Sequence, residues 1–187
     1  MSTLAGSIEI NMMCGPQDLC SRLLPQQKMH EPMFQKASQY SSFRSATNPF
    51  EFEIDQVQYI FIYCRCIATS GQNIDSIFQH ADFDSRLEIA AQTLKCGHLA
   101  PLAPDALFCH PFKGNDPFIL ERRPHLYVIG NQPKFDTSLI EANRDDGTVE
   151  KTRVVLLPRF SETGTIALVN IRTLEASMLL FNGEYLA

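Results

Sequence analysis

PHLYVIGNQPKF, residues 124–135, decides how the rest of the chain is read. Its apolar run Leu126-Tyr127-Val128-Ile129 stops abruptly at Gly130-Asn131-Gln132-Pro133. Unbroken apolarity marks a strand buried on both faces. A tight polar turn at the end of such a strand is a usual place for a sheet to present chemistry. Gly130 is the residue expected to take a positive φ in that turn.

Working outward from this strand, SIEINMM (7–13) reads as a short strand ending in the turn Cys14-Gly15-Pro16-Gln17-Asp18. Residues 19–49, rich in Pro, Gln, Ser and Asn, read as a long ordered loop with one helical turn around Phe34 to Tyr40. FEFEID (50–55) alternates apolar and acidic residues, a strand with one wet face, and VQYIFIYCRCIAT continues as strand material. SGQN (70–73) is a turn, followed by a short helix over IDSIFQH. In the next helix Leu87, Ala90, Ala91 and Leu94 form one apolar stripe at i, i+3, i+4 and i+7. Asp82 and Asp84 stand near its start and Lys95 near its end, as the helix dipole favours, and Gly97 is placed to cap it.

Residues 99–118, with prolines at 101, 104, 111 and 117, read as an irregular loop. HLYVIG, TRVVLLPRF, GTIALVNIRTL and ASMLLFN follow as strands, the last three expected to form an antiparallel meander. The sum is a sheet-dominated α/β domain whose sheet needs cover on a face or an edge.

Composition narrows the function. In 187 residues, 44% hydrophobic and 20% charged content describes a globular chain. The net charge of −5 resides in residues 51–90, where seven acids face Arg65 and Arg86 alone. With no basic run, stand-alone nucleic-acid binding is disfavoured, because phosphate contacts supply most of that affinity. No signal peptide or membrane span is read, so the six cysteines are expected as reduced thiols in an aqueous cell interior.

Six collinear words resemble the small (second) subunits of DNA polymerase delta. They are LLPQQKMHEPMF (23–34), YSSFRSATNPFEFEID (40–55), TSGQNIDSIF (69–78), GHLAPLAPDALFCHPFKGNDPF (97–118), PHLYVIGNQPKF (124–135) and VVLLPRFSETGTIALVNIRTLEAS (154–177). The resemblance implies a partial calcineurin-like metallophosphoesterase β-sandwich flanked by helices. Residues 1–187 would be the C-terminal portion of an inactive phosphoesterase-like domain, without the family's oligonucleotide-binding-type barrel and first half-domain. It further implies a nuclear, non-catalytic scaffold that joins the cysteine-rich C-terminal domain of the catalytic subunit to a third polymerase subunit. Such a scaffold meets DNA only through the complex, touches no membrane and holds no cofactor. One departure is the added segment YIFIYCRCIA (59–68), which reads either as a lengthened strand or as mis-spliced sequence.

Active calcineurin-like enzymes clamp phosphorus between two metal ions held by Asp, Asn and His. Their Gly-Asn-His-Asp turn aligns with Gly15-Pro16-Gln17-Asp18, and their Gly-His-x-His turn with Gly130-Asn131-Gln132-Pro133. Pro16 replaces a ligand, Gln17 replaces the catalytic histidine, and neither histidine of the second turn remains. Imidazoles, which transition metals favour, have gone from both. His98 is the one ligand-type residue in register, and His98 and Asp18 read more readily as hydrogen-bonded loop residues than as ligands. Gly15, Asp18, His98, Gly130 and Asn131 are therefore expected to be vestigial-site residues, with no catalytic or metal role. His30, His80 and His125 are assigned to surface or satisfied polar positions.

Cys64-x-Cys66 on a strand puts two thiols on one face, and Cys96-x-His98 with Cys109-His110 offers further donors, but no doublet has structural-zinc spacing. Phe112, Phe118 and Phe135, with Arg122 and Arg123, are expected to contribute to a partner-docking surface, against the plainer reading of core packing and a solvated corner. Two rival functions stand beside the scaffold. One is a metal-dependent phosphodiesterase or 3′–5′ exonuclease, as in related archaeal subunits. The other is a single-strand-binding module.

Overall fold

A computed structural model describes residues 1–56, 62–143 and 147–181. The chain runs α1 (Ser2–Ala5), β1 (Ile10–Met13), a 3-10 turn (Glu31–Phe34), β2 (Phe43–Ala46), β3 (Phe50–Gln56), β4 (Ile62–Thr69), α2 (Gln72–His80) and α3 (Arg86–Cys96). It continues with β5 (Leu126–Gln132), β6 (Asp136–Asn143), β7 (Val149–Pro158), α4 (Phe160–Thr163), β8 (Thr165–Val169) and β9 (Ala176–Leu180). The helical turn thus starts earlier than the sequence indicates, at Glu31, where Pro32 occupies a first-turn position that needs no N–H.

The central sheet has the order β3-β4-β5-β7-β6. β4, β5 and β7 run parallel, while β3 and β6 pair antiparallel at the two edges. This mixed sheet explains the residue pattern around position 126. Tyr127, Ile129, Val154 and Leu156 point to one face, where they pack with Ile74, Ile77, Ile89, Ala90 and Leu94 of α2 and α3. Cys64, Cys66, Leu126 and Val155 point to the other, against Ala167, Val169 and Ala176 of the β8–β9 hairpin. Each fully buried Val or Ile there contributes about 1.5–3 kcal/mol by leaving water. β1 and β2 form a separate parallel pair over a small cluster of Ala5, Ala37 and Phe43.

Two expectations are corrected. The last three strands are not a meander: β7 lies inside the main sheet between β5 and β6, and only β8 and β9 pair with each other. β6 is a strand that the sequence pattern does not announce, because DTSLIEAN is polar enough to hide an edge strand. Of the added segment, residues 59–61 lie outside the described residues. From Ile62 onward it is β4, paired residue for residue with β3 from Gln56 back to Phe50. α3 matches its sequence signals: the Ser85 side chain accepts the Glu88 N–H, and Gly97 caps the other end at φ 66°. Among the described residues no helix is long and apolar enough to cross a membrane.

Candidate functional site

β4 and β5 run side by side, so their C-terminal ends deliver Thr69-Ser70-Gly71 and Gly130-Asn131-Gln132 to the same place. In open α/β sheets this end of the parallel strands is where ligands bind. The turn after β1 arrives there as well. A Cβ built on Gly15 would stand 3.8 Å from Asn131 Nδ2, so the two turns singled out in the sequence meet in space. The positive φ, however, falls on Asn131 (55°) and not on Gly130. Asn tolerates that left-handed conformation better than most residues, and β5 bulges between Ile129 and Gln132 to accommodate it.

Buried amides bind these loops together. Asn48, 2% exposed, donates to Gln26 Oε1 at 2.5 Å and to Ser70 Oγ at 2.6 Å, and its Oδ1 accepts the Ser70 N–H at 3.1 Å. The backbones of Gln26 and Asn48 exchange two further bonds, at 2.7 and 3.0 Å. Gln26 Nε2 donates to Ser21 O at 2.7 Å and reaches toward Gly15 O at 3.4 Å. Asn131 Nδ2 donates to Ser70 O at 2.9 Å. The chain of contacts runs from the first turn through Gln26, Asn48 and Ser70 to the second.

This arrangement does not fit a two-metal centre. The atom of Asn131 nearest a Cβ built on Gly15 is its amide nitrogen, whose positive partial charge repels a cation. Asp18 is exposed, and its Oδ2 accepts the Gly15 N–H at 2.7 Å, closing its own turn. Gln17, which the resemblance sets where active enzymes have a histidine, is exposed too. His98 has both ring nitrogens engaged: Nδ1 accepts the Ala100 N–H at 3.1 Å, and Nε2 stands 2.9 Å from Asp116 Oδ2. That contact, with the Phe118 N–H behind it, holds the Asp116 carboxyl below the usual carboxylate range. His98 thus clamps the 97–118 loop.

Cys14, Cys64 and Cys66 are buried, whereas Cys96 is exposed. Cys64 and Cys66 share a face with their Sγ atoms 3.7 Å apart, and burial pushes both thiols up. Burial, followed by the neighbouring Cys20, pushes Cys14 up to about 12. Among the described residues no three His, Cys, Asp or Glu side chains gather as a metal site. His80 contacts Ser76 O, His125 accepts the Arg65 N–H, and His30 is exposed.

The expected docking residues differ in exposure. Phe112 is exposed, but Phe118 is 3% exposed and belongs to the core under α2 and α3. Phe135 is half-buried against the hairpin side of the sheet. Arg122 is exposed beside Glu51 and Arg65, and Arg123 is half-buried. Sequence reasoning passes over Gln26 and Asn48. Their one signal is position: each is polar and beside a proline in a loop.

The fold and these turns define an α/β domain whose strand-end loops are cross-braced by neutral amides. A family model for the B subunits of DNA polymerases alpha and epsilon matches residues 1–137, and the chain belongs to that family. It is 38% identical over 185 residues to the DNA polymerase delta small subunit of Oryza sativa subsp. japonica, covering 99% of this chain and 41% of that one. It is 38% identical over 178 residues to DNA polymerase delta subunit 2 of Drosophila melanogaster, covering 95% and 39%. Against the DNA polymerase delta small subunit of Saccharomyces cerevisiae it is 31% identical over 200 residues, covering 91% and 39%. The chain spans about two-fifths of the length of these relatives.

Proposed function

We propose that this chain is a non-catalytic accessory element of a DNA polymerase delta complex, acting in the nucleus by binding and not by turnover. In this reading it is the C-terminal portion of a phosphoesterase-like domain that has lost its metals. The observation that carries it is the meeting of the two turns, tied to each other by hydrogen bonds through Asn131, Ser70, Asn48 and Gln26. Such a brace fixes loop geometry, which a docking surface needs, and offers no Lewis acid or general base. The partners are the cysteine-rich C-terminal domain of the catalytic subunit and a third subunit, with DNA reached only through them.

Co-expression with that C-terminal domain, followed by size-exclusion chromatography, tests the binding. A stoichiometric co-eluting peak is the expected result. Separate elution of two folded proteins would overturn it.

A further inference from the structure

Two sulfurs flank the first turn. Cys14 follows β1 directly, and the chain then doubles back so that Cys20 Sγ donates to Gly15 O at 3.8 Å. Gln26 Nε2 lies 3.4 Å from Cys20 Sγ and 3.4 Å from Gly15 O. Cys14 Sγ donates to the next residue along, at Gln27 O, 3.6 Å away. The two thiols are thus held against adjacent residues, and each is a hydrogen-bonding neighbour of the other. The turn between them is already closed: Asp18 Oδ2 accepts the Gly15 N–H at 2.7 Å, and Asp18 O accepts the Cys20 N–H at 2.8 Å. A cross-link across a turn folded back in this way asks for little backbone movement.

Access orders the two sulfurs. Cys14 is 1% exposed, whereas Cys20 is partly exposed. Oxidation of thiols follows access as well as thiolate character, and a sulfur with a second one behind it passes on to a disulfide. The other close pair differs in this respect. Cys64 and Cys66 have their Sγ atoms 3.7 Å apart, but at 2% and 0% exposure neither meets solvent. Exposed Cys96 has the Gln92 amide at its sulfur.

We infer that Cys14 and Cys20 form a reversible disulfide when a hydroperoxide reaches the first turn, and that the oxidised turn holds Gln26 differently from the reduced one. In the first step the Cys20 thiolate attacks one peroxide oxygen, the O–O bond breaks, and Cys20 becomes a sulfenic acid while hydroxide leaves. Cys14 Sγ then attacks Cys20 Sγ, the S–O bond breaks, and hydroxide departs with the Cys14 proton as water. Two thiols are oxidised and one peroxide is reduced to two waters. Cys20 Sγ then no longer stands as a thiol against Gln26 Nε2, so the change enters the amide brace that ties the two turns together. The inference does not depend on the polymerase reading.

Hydrogen peroxide added to the purified full chain, followed by alkylation of the remaining thiols and digestion before aspartate, tests it by mass spectrometry. Cleavage before Asp18 puts Cys14 and Cys20 on separate fragments. The expected result is one species in which these two fragments remain joined, and which dithiothreitol returns to the separate peptides. Cys20→Ser should lose that species and leave Cys14 reduced. In the wild-type chain the side-chain amide resonance of Gln26 should shift on oxidation and return on reduction. Sulfinic acid on Cys20 with no link, Cys20 joined to any other cysteine, or Cys96 consumed while Cys20 stays reduced would each overturn the proposal. So would a linked pair that leaves the Gln26 resonance unmoved.

Discussion

Asn48 carries more of the candidate site than any ionisable residue does. Removing its side chain strands Gln26 Oε1, Ser70 Oγ and the Ser70 N–H in a place that water does not reach, and an orphaned buried polar group costs about 1–3 kcal/mol. Asn48→Ala should lose about 3 kcal/mol, roughly 6–12 °C in melting temperature. Exposed Gln17→Ala should stay within about 0.5 kcal/mol; equal melting of the two variants would contradict the role given to the amides. The absence of imidazoles from both turns was legible in the sequence, but the amide network that ties them together was not, because a polar residue beside a proline in a loop looks the same whether it faces water or a carbonyl. The thiols give a second prediction at this scale. At pH 8 a maleimide should label exposed Cys96 in the native protein and leave Cys14, Cys64 and Cys66 until denaturant is added, as peptide mapping would show. Their folded pKa values are raised above the unfolded value of about 8.5. The stability they provide as neutral thiols is therefore complete below that pH and is lost as pH rises through the folded values. Alkaline titration followed by circular dichroism should show it. Asp116 works in the opposite direction: its lowered pKa stabilises above about pH 3.9 and that contribution is lost on acidification.

Among the elements, the junction between β4 and α2 is the tightest. Gly71 sits at φ 88°, and a Cβ there would lie 2.2 Å from Gly130 O. Gly97, at φ 66°, has only Leu120 O near, at 3.9 Å. Gly71→Ala should therefore cost more than about 4 kcal/mol or prevent folding, whereas Gly97→Ala should cost about 1–2 kcal/mol from backbone strain alone. Similar urea midpoints for the two would show that the β4 and β5 loops are not packed as described. α3 was legible because its stripe, its Ser85 start and its Gly97 stop agree with one another. β6 was not, because an edge strand with alternating partial burial needs little apolar sequence. Nor was the partner of β7 legible: hydrophobic pattern marks a strand, but parallel pairing with β5 arises because β6 passes to the edge and β7 folds back between β5 and β6. Gly71 and Gly130 divide the labour differently from the expectation, since the strained φ belongs to Asn131 and the close approach to Gly71.

For the whole molecule, two layers of cover account for the sheet: α2 and α3 on one face, the β8–β9 hairpin on the other. The sequence indicated that cover was needed without showing that its own C-terminal hairpin supplies part of it. With the sheet closed in this way, the strand-end loops are held by their own hydrogen bonds. A chain built so should present surface to a partner and leave phosphodiesters intact. The direct measurement is steady-state hydrolysis of bis(p-nitrophenyl) phosphate by the purified chain with manganese, beside the same assay on Asp18→Asn. The account predicts no turnover above the buffer blank for either protein, and a melting temperature unmoved by the metal. Saturable, manganese-dependent turnover that Asp18→Asn abolishes would contradict it and return the two turns to catalysis.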